Sequence, residues 1–458
     1  MLGFGLGLTH FGTRGGVSDT PDSSVSGAAL MLASEPEGFA IDFSDASICI
    51  KDLTTPANSF ASQGTVLNGA LVGPGAKITY ASPSPKLCKK SDGTYGYRAQ
   101  NLYLNSESPA NQSVTVVSGL PYIIAVTGTV SITLSGAAIG TVTAGNPITF
   151  TASTGTLTCG STSGAGTVHL RSTLAASEYI RTTTVPLYDL PYDWTGTYYY
   201  PLCEPAATNL FLNSRAAATQ NFSVTAQAYT LSFIGTGTIT LSGTSTAGPL
   251  VGTGANNRVS LTFTPSAGTL TLTVSGTMDL VQLETGIAAT SPIITAGATV
   301  TRAADQPTIP TSAFPFNASA GTLYAKVIPR APTSIGVNTA VSLNDGSNNE
   351  AYRLRVNDGT GAAIFSVSDG GVAQAGPFVA GVTVNTEQRV AGAYALNDFQ
   401  VARNGSTGTL DTSGTLPTVT TLTIGGAASG GQYLHGHLLQ LMYLPRRMSN
   451  AELQALTA

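Results

Sequence analysis

Charge is what this 458-residue chain has least of: Asp, Glu, Lys and Arg together make up 10% of it, against about 25% in an ordinary soluble domain. Between Asn101 and Val300 only eleven charged residues occur, and no lysine stands between Lys90 and Lys326. The formal net charge of -4 comes without any basic block, which excludes a nucleic-acid binder that meets phosphates with a positive stripe. Long apolar runs are missing as well, so the sequence offers no transmembrane helix. The four cysteines, Cys49, Cys88, Cys159 and Cys203, form no CxxC pair. They signal neither a disulfide scaffold nor a zinc site and read as small buried hydrophobes. The apolar start Met1–Leu8 lacks the basic region of a signal peptide and reads as an unprocessed anchor against a partner surface. The Ser-, Asp- and Gly-rich stretch 15–27 that follows reads as a flexible tether.

What is present is glycine (52 residues), abundant threonine and a hydrophobic fraction of 42%, too high for a disordered chain. Solitary β-proteins blunt their edge strands with lysine and proline. A long lysine-free β-region therefore points to edges covered by neighbours in an assembly, and low net charge adds little repulsion against it. A Thr/Ser/Asn surface polar enough by itself is the other reading, since threonine suits a half-exposed pleated face.

The central part of the chain is duplicated. Asn101-Leu102-Tyr103-Leu104-Asn105-Ser106 recurs as Asn209-Leu210-Phe211-Leu212-Asn213-Ser214, and the segment 128–136 recurs as 235–243. Two further blocks follow in the same order: 149–151 and 155–158 match 262–264 and 268–271, while Leu170 and 175–177 match Leu283 and 288–290. Within each copy apolar residues alternate, as Val130, Ile132 and Leu134 do with Thr129, Ser131 and Thr133. That period of two belongs to strands with one buried face, and Gly-bounded runs of this length predict antiparallel sandwiches. The last third carries about eight strand-like runs separated by turn signals such as Asp358-Gly359 and Asn404-Gly405. Ser449-Asn450-Ala451-Glu452 is a capping box, with Met448 and Leu453 placed as a hydrophobic staple, predicting one short helix over 450–456.

The closing segment His437 to Leu453 resembles the final strand and helix of concanavalin A-like (laminin G-like) jelly rolls in tailed-bacteriophage structural proteins. The Asn-Leu-aromatic-Leu-Asn-Ser openings are similar to carbohydrate-binding-module-like sandwiches in phage tail and head fibre proteins. The resemblance covers most of the chain from about residue 99 onward. It implies an all-β chain: an N-terminal anchor and tether (1–40), a linking β segment (41–98), a first sandwich (99–185), a linker with the second sandwich (186–306), and a concanavalin A-like jelly roll with one terminal helix (307–458). It further implies a non-enzymatic virion protein assembled in the host cytoplasm and exposed on the particle, self-associated as a homotrimer. Its partners would be other virion proteins, bound through the N-terminal segment, and host-surface glycan, in a tail fibre or receptor-binding component. A capsid decoration or head-fibre protein with a mainly structural role is the alternative, because one fold hosts many roles.

The richest local cluster runs from Tyr188 to Trp194, holds the only tryptophan, and is followed by Tyr198-Tyr199-Tyr200. Flat aromatics stack on the CH faces of sugars and carboxylates accept from hydroxyls, so Tyr192, Asp193, Trp194 and Tyr198 are candidate glycan contacts. The same aromatics also read as packing in an inter-domain linker, which their echo of Gly93–Tyr97 favours. Asp189 and Asp193 are the close carboxylate pair that a glycan-cleaving enzyme would need, yet they sit in a Pro-punctuated segment with little to fix their geometry. His435 and His437 share one face of a strand, and Asn344–Glu350 offers several hard oxygens without the spacing of a calcium loop. No cofactor and no metal is called for.

Overall fold

The computed structural model describes residues 31–43, 47–51, 62–67, 70–72, 79–80, 86–97, 100–175, 199–330, 337–429 and 431–458, together with 177, 179, 182, 187–188 and 192–195. The expected anchor Met1–Leu8, the tether, His10, Asp189 and Tyr198 lie outside these residues. What is described is almost entirely antiparallel β-structure with one short α-helix.

The two repeats are the same sandwich built twice. In the first, a three-stranded sheet ordered Ile148–Thr151, Pro121–Val126, Val168–Ser172 faces a four-stranded sheet ordered Gly140–Thr143, Ser131–Gly136, Thr156–Ser163, Gln112–Thr115. In the second, Gly254–Phe263, Tyr229–Gly235 and Met278–Thr285 face Leu250–Val251, Thr238–Gly243, Gly268–Ser275 and Gln220–Val224 in the same order. The period-two pattern does what it predicts: Val130, Ile132 and Leu134 are buried in the first core, and Ile239 and Leu241 in the second.

The repeated hexapeptide serves the fold in both copies. Asn101 Oδ1 accepts from the backbone N–H of Tyr103 (3.2 Å) and of Leu170 (3.1 Å), while its Nδ2 donates to Val168 O (2.9 Å). Asn209 repeats the pattern on Phe211, Leu283 and Val281 at 3.0, 3.1 and 2.9 Å. Asn105 and Asn213 take positive φ values of 48° and 54°, a turn that asparagine tolerates better than most residues. Ser106 and Ser214 then each exchange hydrogen bonds with a threonine, Thr182 or Thr295. A buried amide that satisfies three backbone groups is costly to replace, which explains why the motif survives in both copies.

The C-terminal module is a two-sheet jelly roll, and its sheets are not built from the last third of the chain alone. Its central strand, Gly436–Leu444, is buried along its whole length. One edge of that strand pairs with Ala320–Pro329. The other edge is shared between Gly38–Asp42, with Phe39 opposite Tyr443 and Ile41 opposite Leu441, and Tyr199–Cys203, with Leu202 opposite His437. In the second sheet, Thr79–Tyr80 pairs with Pro307–Pro310. Phe39, Ile41, Phe43 and Cys203 are buried in the jelly-roll core. The segment expected to begin a separate linking unit at residue 41 thus supplies strands to the C-terminal sandwich, and the two repeats are looped out of it.

Ser449 caps the terminal helix Asn450–Thr457 with the reciprocal capping box: Glu452 N donates to Ser449 Oγ (3.3 Å) and Ser449 N to Glu452 Oε2 (2.6 Å). Met448 and Leu453 pack over Ala40, Ala391, Ala393 and Ala402. Alanines on the outer face of the sheet let the helix sit close to the strands beneath it.

Because Ile41 is wholly buried more than 250 residues ahead of the module it completes, Ile41→Ala should destabilise the jelly roll by about 2–5 kcal/mol. Urea denaturation followed by near-ultraviolet circular dichroism measures this, and a change under about 1 kcal/mol would mean that the strand does not complete the core.

Candidate functional site

All three modules meet at one buried cluster of four charges. Lys86 precedes the first repeat, Glu204 lies between the repeats, and Arg302 and Asp305 lie between the second repeat and the jelly roll. Lys86 Nζ is 2.6 Å from Asp305 Oδ2 and 3.0 Å from Glu204 Oε2. Arg302 reaches Glu204 Oε2 and Asp305 Oδ2, each at 3.4 Å. All four side chains are at most 2% exposed. Backbone groups complete the cluster: Ser291 N donates to both Glu204 oxygens (3.1 Å each), Glu204 N donates to Asp305 (2.9 Å), and Arg302 donates to Pro205 O (2.6 Å). Burial resists charge on Lys86, but Asp305 and Glu204 outweigh it and raise its pKa. Burial likewise opposes ionisation of Glu204, and Lys86 and Arg302 overcome it, holding the carboxyl well below the usual range.

Asp193 belongs to the border of this junction. It is buried, accepts from Lys89 N at 2.8 Å, and lies 3.8 Å from Arg330. Burial raises its pKa, with Lys89 N, Lys86 and Arg330 acting against the rise. Tyr192 and Trp194 flank it on the strand Tyr192–Trp194, which pairs with Tyr199–Cys203. His435 and His437 are buried in the same region. Burial lowers both pKa values, that of His437 to about 3, against the pull of Glu204. His437 Nε2 has no hydrogen-bond partner among the described residues, as befits a neutral ring.

In Asn344–Glu350 the carboxylates are engaged within the protein: Asp345 Oδ1 accepts from Ser347 N and Oγ, and Glu350 accepts from Gly370 N and Thr418 N, while Asn348 Oδ1 is buried with no hydrogen-bond partner among the described residues. Burial raises the Cys159 and Cys203 thiols to about 12, which suits unreactive core residues.

A cleft of about 370 Å³ lies between the two repeats. Leu87, Ile234, Met278 and Leu280 give it an apolar floor, and Tyr95 stands on the wall that precedes the first repeat. At its mouth Arg215 grips Asp279 through two bonds, Nε–Oδ1 at 3.2 Å and Nη2–Oδ2 at 3.1 Å, with the side chains 45% and 35% exposed. A bulge positions the acid: Ile234 pairs with Asp279 and Ser232 with Gln282, so Leu280 and Val281 together face Phe233. Leu280 consequently adopts φ 52°, a strained value for a bulky residue, and its N–H donates to Asp279 Oδ1 (2.7 Å). The first repeat has no register shift on the corresponding strand pair, where Thr127, the counterpart of Ile234, lies opposite Thr167, and it carries Glu107 and Thr167 where the second has Arg215 and Asp279. Charge scarcity was the available signal for Arg215 and Asp279, two of the eleven charges in their region, but nothing local joined residues 64 positions apart.

No protein-family model matches the chain, and no curated protein matches it. Among solved structures, the CBM40 of the Ruminococcus gnavus IT-sialidase bound to alpha2,3 sialyllactose is 14% identical, covering 31% of this chain and 84% of that one, with a TM-score of 0.27. The binding domain of Paraclostridial Mosquitocidal Protein 1 is 13% identical over 34% of this chain and 43% of its own, with a TM-score of 0.25. The heptameric SAP-like pentraxin from Limulus polyphemus is 11% identical over 31% and 73%, with a TM-score of 0.23.

Removing one partner of a buried ion cluster leaves the others uncompensated. Lys86→Met should therefore cost about 3–5 kcal/mol in chemical denaturation, and near-neutral stability would show that the cluster is dispensable. The buried histidines have depressed folded-state pKa values, so the unfolded chain takes up protons first as pH falls below about 6.5. Stability must fall from there toward acid, by up to about 1.4 kcal/mol per pH unit for each imidazole. The raised carboxyls Asp193 and Glu284 pull the other way, so wild type is best compared with His437→Gln. The variant should show a shallower loss of stability between pH 6.5 and 5, in melts at half-unit steps. Parallel curves would place a charged imidazole in the fold.

Proposed function

We propose that this chain is a non-enzymatic structural protein of a tailed-bacteriophage particle that displays its sandwiches for recognition of host-surface glycan, as a tail fibre or receptor-binding component. The observation that carries this reading is the cleft between two sandwiches that are looped out of a third module and joined to it by a buried charge cluster. A join of that kind presents a recognition surface without a hinge. In this reading residues ahead of Met31 dock on other virion proteins, the chain assembles as a homotrimer in the host cytoplasm, and the sandwiches face outward. Linked copies would multiply weak glycan contacts by ~10²–10⁴ in avidity.

The non-enzymatic reading is supported by Asp193, whose carboxylate is held by a backbone N–H and by Arg330 and so is not set as the free acid or base that glycoside hydrolysis uses. The same residue favours a second reading, a capsid decoration or head-fibre protein with a mainly structural role, because the cluster that looked most like a glycan platform turns its carboxylate inward.

Antibody raised against the whole chain and visualised on purified virions by electron microscopy tests both. Label on tail fibres or tail tip is the expected result. Label spread over the capsid favours the structural reading, and particles without label overturn the virion assignment.

A further inference from the structure

The polar mouth of the cleft is not needed to build the sandwich. The first repeat folds with Glu107 and Thr167 at the positions of Arg215 and Asp279, and with an unbulged strand pair. The second repeat has a bulge, a leucine in the left-handed region and a bidentate ion pair, all at this one place. A half-exposed pair contributes only about 0–1 kcal/mol to stability. Strain without a return in stability is characteristic of positions kept for binding.

The chemistry of the cleft selects its ligand. Arg215 and Asp279 together are neutral: Nε and Nη2 are spent on the carboxylate and Oδ1 also accepts from Leu280 N, which leaves Nη1 to donate and the second lone pair of Oδ2 to accept, the complement of adjacent hydroxyl groups. The Asn256 side chain, which can both donate and accept, lines the same cleft, as does the hydroxyl-bearing Thr94. Below them Tyr95 and the aliphatic floor offer the apolar surface on which the CH face of a sugar ring packs. A volume of about 370 Å³ falls in the lower part of the range for small-molecule sites, roughly 300–1,000 Å³. That suits a short saccharide end better than an extended polymer segment.

We propose that the cleft between the repeats binds the end of an uncharged, hydroxyl-rich saccharide, with Arg215 Nη1 donating to one hydroxyl, Asp279 Oδ2 accepting from its neighbour and Tyr95 stacking on its ring. The inference rests on the glycan-recognition reading and places the contact here instead of at Tyr192, Asp193, Trp194 and Tyr198. Neutrality of the pair distinguishes the ligand from acidic sugars, whose carboxylates would meet Asp279 whenever they approached Arg215.

Native affinity electrophoresis of the full chain through gels containing dextran, yeast mannan, galactan or polysialic acid tests it. At least one neutral polysaccharide should retard the wild-type protein. Arg215→Ala and Asp279→Ala should each weaken that retardation at least tenfold in apparent Kd while leaving the melting temperature within about a degree, as expected for a half-exposed pair. Tyr95→Leu keeps apolar bulk and should weaken it as well. Retardation unchanged in the Arg215→Ala, Asp279→Ala double variant overturns the cleft while leaving glycan recognition elsewhere on the chain intact. Retardation by polysialic acid alone overturns the uncharged ligand. No retardation by any of the four overturns the inference, whereas the virion assignment stands or falls separately on the labelling of particles.

Discussion

The buried cluster of Lys86, Glu204, Arg302 and Asp305 is the interaction on which the rest of the molecule depends. Lys86 marks the crossing into the first repeat, Glu204 the crossing into the second, and Arg302 and Asp305 the return from it. Two cations and two anions taken wholly out of water are stable only when every charge has partners. Here each has a counter-ion, and Ser291 N, Leu202 O and Pro205 O bond to the cluster as well. Geometry that must satisfy four desolvated charges at once tolerates little displacement of the modules. The cluster therefore helps to hold the three modules in a defined arrangement.

That arrangement creates the cleft. Ile234, Leu280 and Ile294 of the second repeat are packed into the core of the first, so the two sandwiches share apolar surface along one side and leave the gap beside it. The duplication divides into two kinds of residue. Buried asparagines, serines and threonines recur because they close the same backbone hydrogen bonds twice. Glu107 and Thr167 give way to Arg215 and Asp279 at the cleft. A duplicated scaffold is informative in this way: what both copies share belongs to folding, and what one copy alone has needs another reason.

Several features were legible from residue order alone because their physics is local. Alternation exposes every strand with one wet face, as at Ser131–Gly136. The capping box needs only four consecutive residues, and the helix begins where Ser449 says it should. The repeats are visible because backbone satisfaction demands identical side chains at identical spacing. The aromatic and acidic segment around Asp193 could be read only by composition. Its composition suits a sugar platform, but whether a carboxylate points to solvent or to Lys89 N and Arg330 is a property of its neighbours.

The sequence by itself determined an all-β chain, two homologous sandwiches, a third module and one terminal helix, since propensity, periodicity and capping act over a few residues. Tertiary structure alone decided that Gly38–Asp42 and Tyr199–Cys203 share one edge of Gly436–Leu444, that four scattered charges meet in the interior, and that Arg215 and Asp279 face each other at the mouth of a cleft. Strand pairing and ion pairing are satisfied by any partner of the right shape and charge. Separations of 64 to nearly 400 residues leave no local trace of which partner the fold selects.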